Sequence, residues 1–194
     1  MISSNKFKKK HTIKIPKSIK LLYCDKKNIL TFIGSSQTKS LKLKVKIFLE
    51  PMLNLITVTN IPVSGASTTD FKNAKKVQGT TVAKIKQILT EITYTLYHKL
   101  NLVGVGYRVF PYESLDNQLY FKLGYSHLIY FNVPGDLNTH CQKFTKLFLY
   151  GNCSFDSLTQ TAAQIRACKF PEPYKGKGIL HDQETITLKK GKKI

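Results

Sequence analysis

The stretch GVGYRV (104–109) places two glycines at the spacing that opens a dinucleotide-binding fingerprint. That chemistry needs G-x-G-x-x-G between a strand and a helix, so that backbone N–H groups meet a pyrophosphate. Here Val109 stands at the third glycine position, and the continuation RVFPY does not open a helix. The two glycines read instead as a bulge or a close backbone approach within a strand, one that aims Tyr107 and Arg108. The stretch YKGKG (174–178) lacks the G-x-x-x-x-G-K-[ST] spacing of a P-loop, and no apolar strand precedes it. His11, His98, His127, His140 and His181 are scattered, and acids are sparse. No Ser, Cys or carboxylate sits in a nucleophile or acid–base setting, so neither a catalytic residue nor a cofactor is expected. Cys24, Cys141, Cys153 and Cys168 are far apart, with no C-x-x-C pair and no His at ligand spacing. They read as reduced fillers in a reducing compartment, and no metal site is expected.

One stretch keeps its chemistry. In FPEPYKGKGI (170–179) two prolines fix φ and remove donors, so the loop is stiff before it binds anything. Gly176 and Gly178 permit a positive φ and let a phosphate backbone come close. Lys175 and Lys177 alternate with them and add charge, and Tyr174 offers a flat ring to a base or sugar. Arg166 and Lys169 lie one turn apart on the helix expected just before, extending the same surface. The combination suits an anionic polymer, because a stiff loop loses little entropy on binding.

Charge points the same way. The chain has 194 residues, with Lys plus Arg at 31, Asp plus Glu at 11 and a net charge of +20. Such an excess opposes compactness unless a polyanion relieves it, with nucleic acid the first partner to consider and an anionic membrane surface the second. Only Arg108 and Arg166 are arginines. Lysines serve diffuse attraction, so these two are the candidates for forked, specific contacts. The hydrophobic fraction of 42% fits a folded protein, and no apolar run is long enough to span a bilayer.

Elements must position these residues. HTIKIP (11–16) and LKLKVKIFL (41–49) alternate as half-buried strands, the latter with Lys42, Lys44 and Lys46 outward. NILTFIG (28–34) and LITVTN (55–60) are further strands. Residues 61–78 read as a loop, and the helix starts near Thr80 with Val82, Ile85, Leu89, Ile92 and Leu96 on one face. The pattern then repeats. KLNLVGVGYRVF (99–110) reads as one strand, followed by strands in QLYFKLG, HLIYFNVP and KLFLYG, and a helix over 157–170 capped by Ser157 with Gln160. Ile29, Thr31, Ile33 and Gly34 fall opposite Leu119, Phe121, Leu123 and Gly124 at a spacing of about 90 residues. The expectation is an α+β fold of two tandem similar modules, each an antiparallel sheet packed against one helix. Its parts are a basic N-terminal arm (1–10), a first module (11–97), a second module (98–180) and a basic tail (181–194).

PEPYKGKGI, preceded by QTAAQIRACK, closely resembles the C-terminal motif of the large-subunit ribosomal protein six family in its bacterial form. LVGVGYR (102–108), LGYSH (123–127, followed by Leu128 where the family usually has Pro) and VQGTT (77–81) also resemble family segments. The resemblance implies two sheet-plus-helix modules and a structural, non-catalytic protein. It implies binding of large-subunit rRNA mainly through the second module, near the sarcin–ricin loop and the landing site of translational GTPases. Carried over by position, the contacts are Tyr107, Arg108, Arg166, Lys169, Tyr174, Lys175, Gly176, Lys177 and Gly178. The implied partners are rRNA and neighbouring large-subunit proteins, with no membrane and no homo-oligomer. Val82 and Lys84 stand where the family often has Arg, so the first module departs from the pattern. A family-like start near His11 leaves no room for a cleaved presequence. With the AT-skewed composition, this implies a mitochondrial ribosome, with a plastid or a bacterial cytoplasm as alternatives. The competing expectation is a basic nucleic-acid- or membrane-surface-binding protein outside the ribosome.

Overall fold

The computed structural model describes residues 11–35, 37–63, 68–112 and 117–191. The expected arm over 1–10 and the end of the tail, 192–194, lie outside the described residues. The chain divides into two compact units between Tyr94 and Thr95.

In the first unit, β1 (Thr12–Lys14), β2 (Lys20–Cys24), β3 (Ile29–Ile33), β4 (Thr38–Lys42), β5 (Val45–Glu50) and β6 (Leu55–Pro62) precede α1 (Thr68–Thr93). They form two antiparallel sheets, ordered β1-β6-β5 and β2-β3-β4. Leu30, Phe32, Ile56, Val58, Ile85 and Ile92 share the core between strands and helix. The lysine-bearing alternation of 41–49 is present as a burial pattern: Leu43, Val45 and Ile47 are buried while Lys42, Lys44 and Lys46 are exposed. It is not one strand. The chain leaves the β4 sheet at Leu43–Lys44 and enters the other sheet as β5, and the burial period runs through the break.

The expected loop over 61–78 is also corrected, because α1 begins at Thr68. Ala74, Val77 and Thr81 continue the apolar face a further two turns. Threonine hydroxyls that would otherwise compete with the helix donate back to it, from Thr80 and Thr81 to the Val77 carbonyl. Gln78 Nε2 donates to the Val58 carbonyl at 2.7 Å, which ties this early part of the helix to β6.

The second unit comprises β7 (Leu96–Val103), β8 (Arg108–Pro111), β9 (Gln118–Lys122), β10 (Ile129–Asn132), β11 (Asn138–Gln142), β12 (Lys146–Gly151), α2 (Phe155–Ala167) and β13 (Gly178–His181). Its sheets are ordered β10-β9-β8 and β11-β12-β7-β13. The plan is that of the first unit: an opening strand, a three-strand meander, a hairpin laid beside the opening strand, then a helix. The difference is β13, which pairs with the other side of β7. The fold is therefore α+β with two similar modules, each built on two small sheets.

Residue by residue, the repeat slips by one from the expected alignment. Leu30 and Phe32 are fully buried on β3, as are Leu119 and Phe121 on β9, so the buried faces match at a spacing of 89 (119 − 30). A strand has a period of two, and a one-residue slip exchanges its faces. The single strand expected over 99–110 is two strands in different sheets, β7 and β8, joined through the turn at Gly104–Tyr107. Helix α2 is capped by Ser154, whose Oγ accepts from the Ser157 N–H at 3.2 Å, one turn before the expected cap. It ends at Ala167 instead of reaching Phe170, with Leu158, Ala162 and Ile165 buried as expected.

Candidate nucleic-acid interface

The loop from α2 to β13 is closed by its own backbone. Gly176 N–H donates to the Glu172 carbonyl at 2.8 Å, and Glu172 N–H donates to the Lys177 carbonyl at 2.9 Å. Ile179 N–H donates to the Lys169 carbonyl at 3.0 Å and closes the base. Gly176 has φ +68, a conformation costly for any residue with a Cβ. At Gly178 the reason for glycine is space: a Cβ would stand 2.6 Å from Pro171 Cα and 2.8 Å from the Phe170 carbonyl oxygen. Stiffness expected from prolines is thus supplied also by three main-chain bonds and one close crossing.

This frame projects Tyr174 and Lys175 into solvent, with Tyr174 54% exposed. Lys177 is half-buried and lines a hollow of about 380 Å³ together with Tyr107, Tyr125, Lys169 and Phe170, with Glu172 also on the rim. Lys169 Nζ lies 4.0 Å from the Tyr125 ring centroid, a cation–π contact that fixes the ammonium at the mouth. Tyr125 Oη donates to the Cys168 carbonyl at 3.3 Å, and its ring stacks on His127 at 5.7 Å. Burial raises the Cys168 thiol above its ordinary range. The result is a shallow, cation-lined depression with aromatic walls, suited to a phosphate backbone and its sugars.

The candidate residues do not all meet there. Tyr107 is a core residue, 8% exposed, held under Gly104, where a Cβ would come within 2.8 Å of its ring. It gives the hollow a floor. Arg108 is exposed at the start of β8, opposite Lys122, on the outer face of the three-stranded sheet. Arg166 has an internal partner: its Nε and Nη2 donate to Glu184 at 3.1 and 2.5 Å, and its guanidinium lies 5.5 Å from the Phe170 ring centroid. The fork expected for a phosphate is occupied by a carboxylate of the tail. Hydrogen bonds from Arg166 and then from the His181 N–H hold the Glu184 carboxyl below its usual range.

The expected tail is in fact part of the site's support. Asp182 N–H donates to the Lys99 carbonyl at 3.0 Å, and its carboxylate pairs with Lys99 Nζ at 2.9 Å. Lys189 N–H donates to the Pro173 carbonyl at 2.8 Å. Tyr125 and His127 lie in the LGYSH segment, which the sequence marks only by resemblance. Their aromatic character next to a glycine was the available signal. Glu184 gave none, since a lone acid in a basic tail has no periodicity. Among the described residues, no group of three or more His, Cys, Asp or Glu could hold a metal, and no helix is long and apolar enough to cross a membrane.

A sequence profile of the family described as "Ribosomal protein L6" matches residues 103–182. That span holds every candidate residue of this surface. The whole chain is similar to the large ribosomal subunit protein uL6 of Geotalea daltonii, 34% identical over 180 residues, which is 93% of this chain and 93% of that protein. It is also similar to the protein of that name in Geotalea uraniireducens, 36% identical over 180 residues with the same 93% coverage of each chain. For the one in Mycoplasmoides gallisepticum the identity is 37% over 166 residues, 86% of each chain.

Proposed function

This chain belongs to the ribosomal protein L6 family, and from that premise we propose that it docks on large-subunit rRNA through the α2–β13 loop of its second unit. It is a structural constituent of the large ribosomal subunit and not an enzyme. The observation that carries the docking mode is the backbone-closed loop, which holds Tyr174 and Lys175 outward and Lys177 beside Lys169 before any partner arrives. Lys169, Lys175 and Lys177 meet phosphates, Tyr174 meets a base or sugar, and Gly176 and Gly178 let the strand approach. Arg166 positions the loop through Glu184 and Phe170, and Tyr107 supports its floor. The proposed place is near the sarcin–ricin loop and the landing site of translational GTPases, beside neighbouring large-subunit proteins. The proposed particle is a mitochondrial ribosome, in keeping with 31 basic residues of which only Arg108 and Arg166 are arginines.

Sucrose gradients of mitochondrial lysate test this with the full chain. Wild type co-migrates with the large subunit, and the Lys175→Ala/Lys177→Ala variant moves mainly to the free fractions, since each lost charged contact weakens binding several-fold, about tenfold or more together. A double variant distributed like wild type overturns the loop assignment. Wild type absent from mitochondrial particles overturns the location alone.

A further inference from the structure

The three-stranded sheet of the second unit has one face in the core and one in solvent. Val109, Leu119 and Phe121 are fully buried, so the strand period turns Arg108, Phe110, Tyr120, Lys122 and Tyr130 outward. On this outer face the rings form a connected group. Phe110 and Tyr120 are cross-strand partners stacked at 5.0 Å, and Tyr130 and Tyr112 meet Tyr120 at 6.5 and 6.4 Å. Much of it is open to solvent: Tyr130 is 62% exposed, Phe144 46% and Tyr112 38%. Packing within the unit does not account for so much aromatic surface, because the rings stand on the side away from the core.

Two features show that this face is built at a cost. Phe144, at the tip of the β11–β12 hairpin, has φ +57 and follows Lys143 at φ +51. Left-handed backbone is unfavourable for a bulky residue, yet it brings the Phe144 ring to 4.7 Å from Phe110. The hairpin is held there by the Val109 N–H, which donates to the Phe144 carbonyl at 2.8 Å. Next to Val109, at the same end of β8, Arg108 and Lys122 are direct cross-strand partners and both are exposed. Like charges directly opposite one another destabilise a sheet, and an anion between them reverses the sign. No carboxylate lies in the three strands to do so.

We propose that this face is a second RNA-docking surface, on which unpaired nucleobases stack against the exposed Tyr and Phe rings while Arg108 and Lys122 hold the adjoining phosphates. The charge row selects an anion, and the rings select one that carries flat bases, which a duplex keeps inside its stack. The inference rests on the chain's docking to large-subunit rRNA but not on the α2–β13 loop. It gives Arg108 a role that the loop's hollow does not.

The chain contains no Trp and ten Tyr, of which Tyr112, Tyr120 and Tyr130 lie on this face, so the share of tyrosine quenching that Tyr130→Ala removes reports the face. With the full chain, a single-stranded oligouridylate quenches this emission, and a duplex of equal length binds with little quenching. Tyr130→Ala and Arg108→Ala each weaken single-strand binding about fivefold or more, Tyr130→Phe restores it, and Tyr130→Ala still removes further quenching when added to Lys175→Ala/Lys177→Ala. Circular dichroism melts of each variant exclude unfolding as the cause. Unchanged single-strand binding in Tyr130→Ala and in Phe144→Ala overturns the proposal. So does ultraviolet cross-linking of intact large subunits that gives no nucleotide adduct on Tyr112, Tyr130 or Phe144, or cross-links from Lys122 to a neighbouring protein that show a protein covering the face. Each of these outcomes leaves the loop assignment standing, and loss of binding only in the loop variant sinks this inference alone.

Discussion

Gly178 is where a single residue most constrains the proposed RNA surface. Its Cα passes against Pro171 so closely that a Cβ would fall 2.6 Å from Pro171 Cα, in backbone contact that no side-chain rotation relieves. Gly106 also has a positive φ, +76, but nothing stands within 4 Å of its Cβ position. Gly178→Ala is therefore expected to cost more than Gly106→Ala, which carries backbone strain of about 1–2 kcal/mol alone. Urea unfolding followed by circular dichroism measures both, and equal costs would mean that the crossing yields easily. Arg166 makes a related point. A guanidinium in a basic protein invites assignment to phosphate, but here it forks onto Glu184 and so acts on the loop from behind. Its fork geometry was legible in the sequence, and the identity of its partner was not.

At the scale of elements, β13 is the addition that separates the two units. It pairs with β7 from Gly178↔Val103 to His181↔Leu100. Beside it, His98 Nε2 and His181 Nδ1 lie 2.8 Å apart. Burial first, and then the nearby His181, lowers the His98 pKa from its ordinary 6.5, with Asp182 opposing. The folded unit thus keeps His98 neutral where the unfolded chain would protonate it. The corresponding stability is present above pH 6.5 and is lost as pH falls from there through the lowered folded value. Urea midpoints should drop between pH 7.5 and 5.5 in wild type and drop less in His98→Gln. Hydrogen-exchange protection factors at Ile179 and Leu180, taken relative to the intrinsic rate at each pH, should fall over the same window. A wild-type midpoint flat across it removes His98 from the account. The carboxyls of Asp182 and Glu184 lie below their usual ranges, so their pairs with Lys99 and Arg166 persist through this window. Elements with strong alternation or helical spacing could be read in the sequence; β2, β11 and β13 could not. KLLYC leaves Leu22 60% exposed and NTHCQ is polar, so neither displays a buried face. GILH is four residues behind a glycine, and its pairing depends on β7, about 75 residues earlier. The first three turns of α1, Thr68 to Gly79, were hidden by threonines and that glycine, whose local preferences the packing against β6 overrides.

For the whole molecule, the charge of +20 sets how association responds to salt. Each phosphate neutralised contributes about −0.7 to −0.9 to the slope of log affinity against log salt. With Lys169, Lys175, Lys177, Arg108 and Lys122 engaged, the full chain should bind deproteinised large-subunit rRNA with a slope near −4. Lys175→Ala/Lys177→Ala should reduce its magnitude by about 1.5. Filter binding across a salt series measures this, and a slope near zero would contradict phosphate docking altogether. Total charge was legible from composition, whereas its division between a loop and a sheet face depends on tertiary placement. The closed α2–β13 loop has one more consequence, which is mechanical. It joins β13 at the strand's end, so tension on the bound loop runs along β13 and loads its bonds to β7 in shear, all at once. Neighbouring β7 is flanked by β12 on its other side. With RNA docked on the loop as proposed, a tug on it is shared across the four-stranded sheet, and the loop works as a tether anchored in a plate.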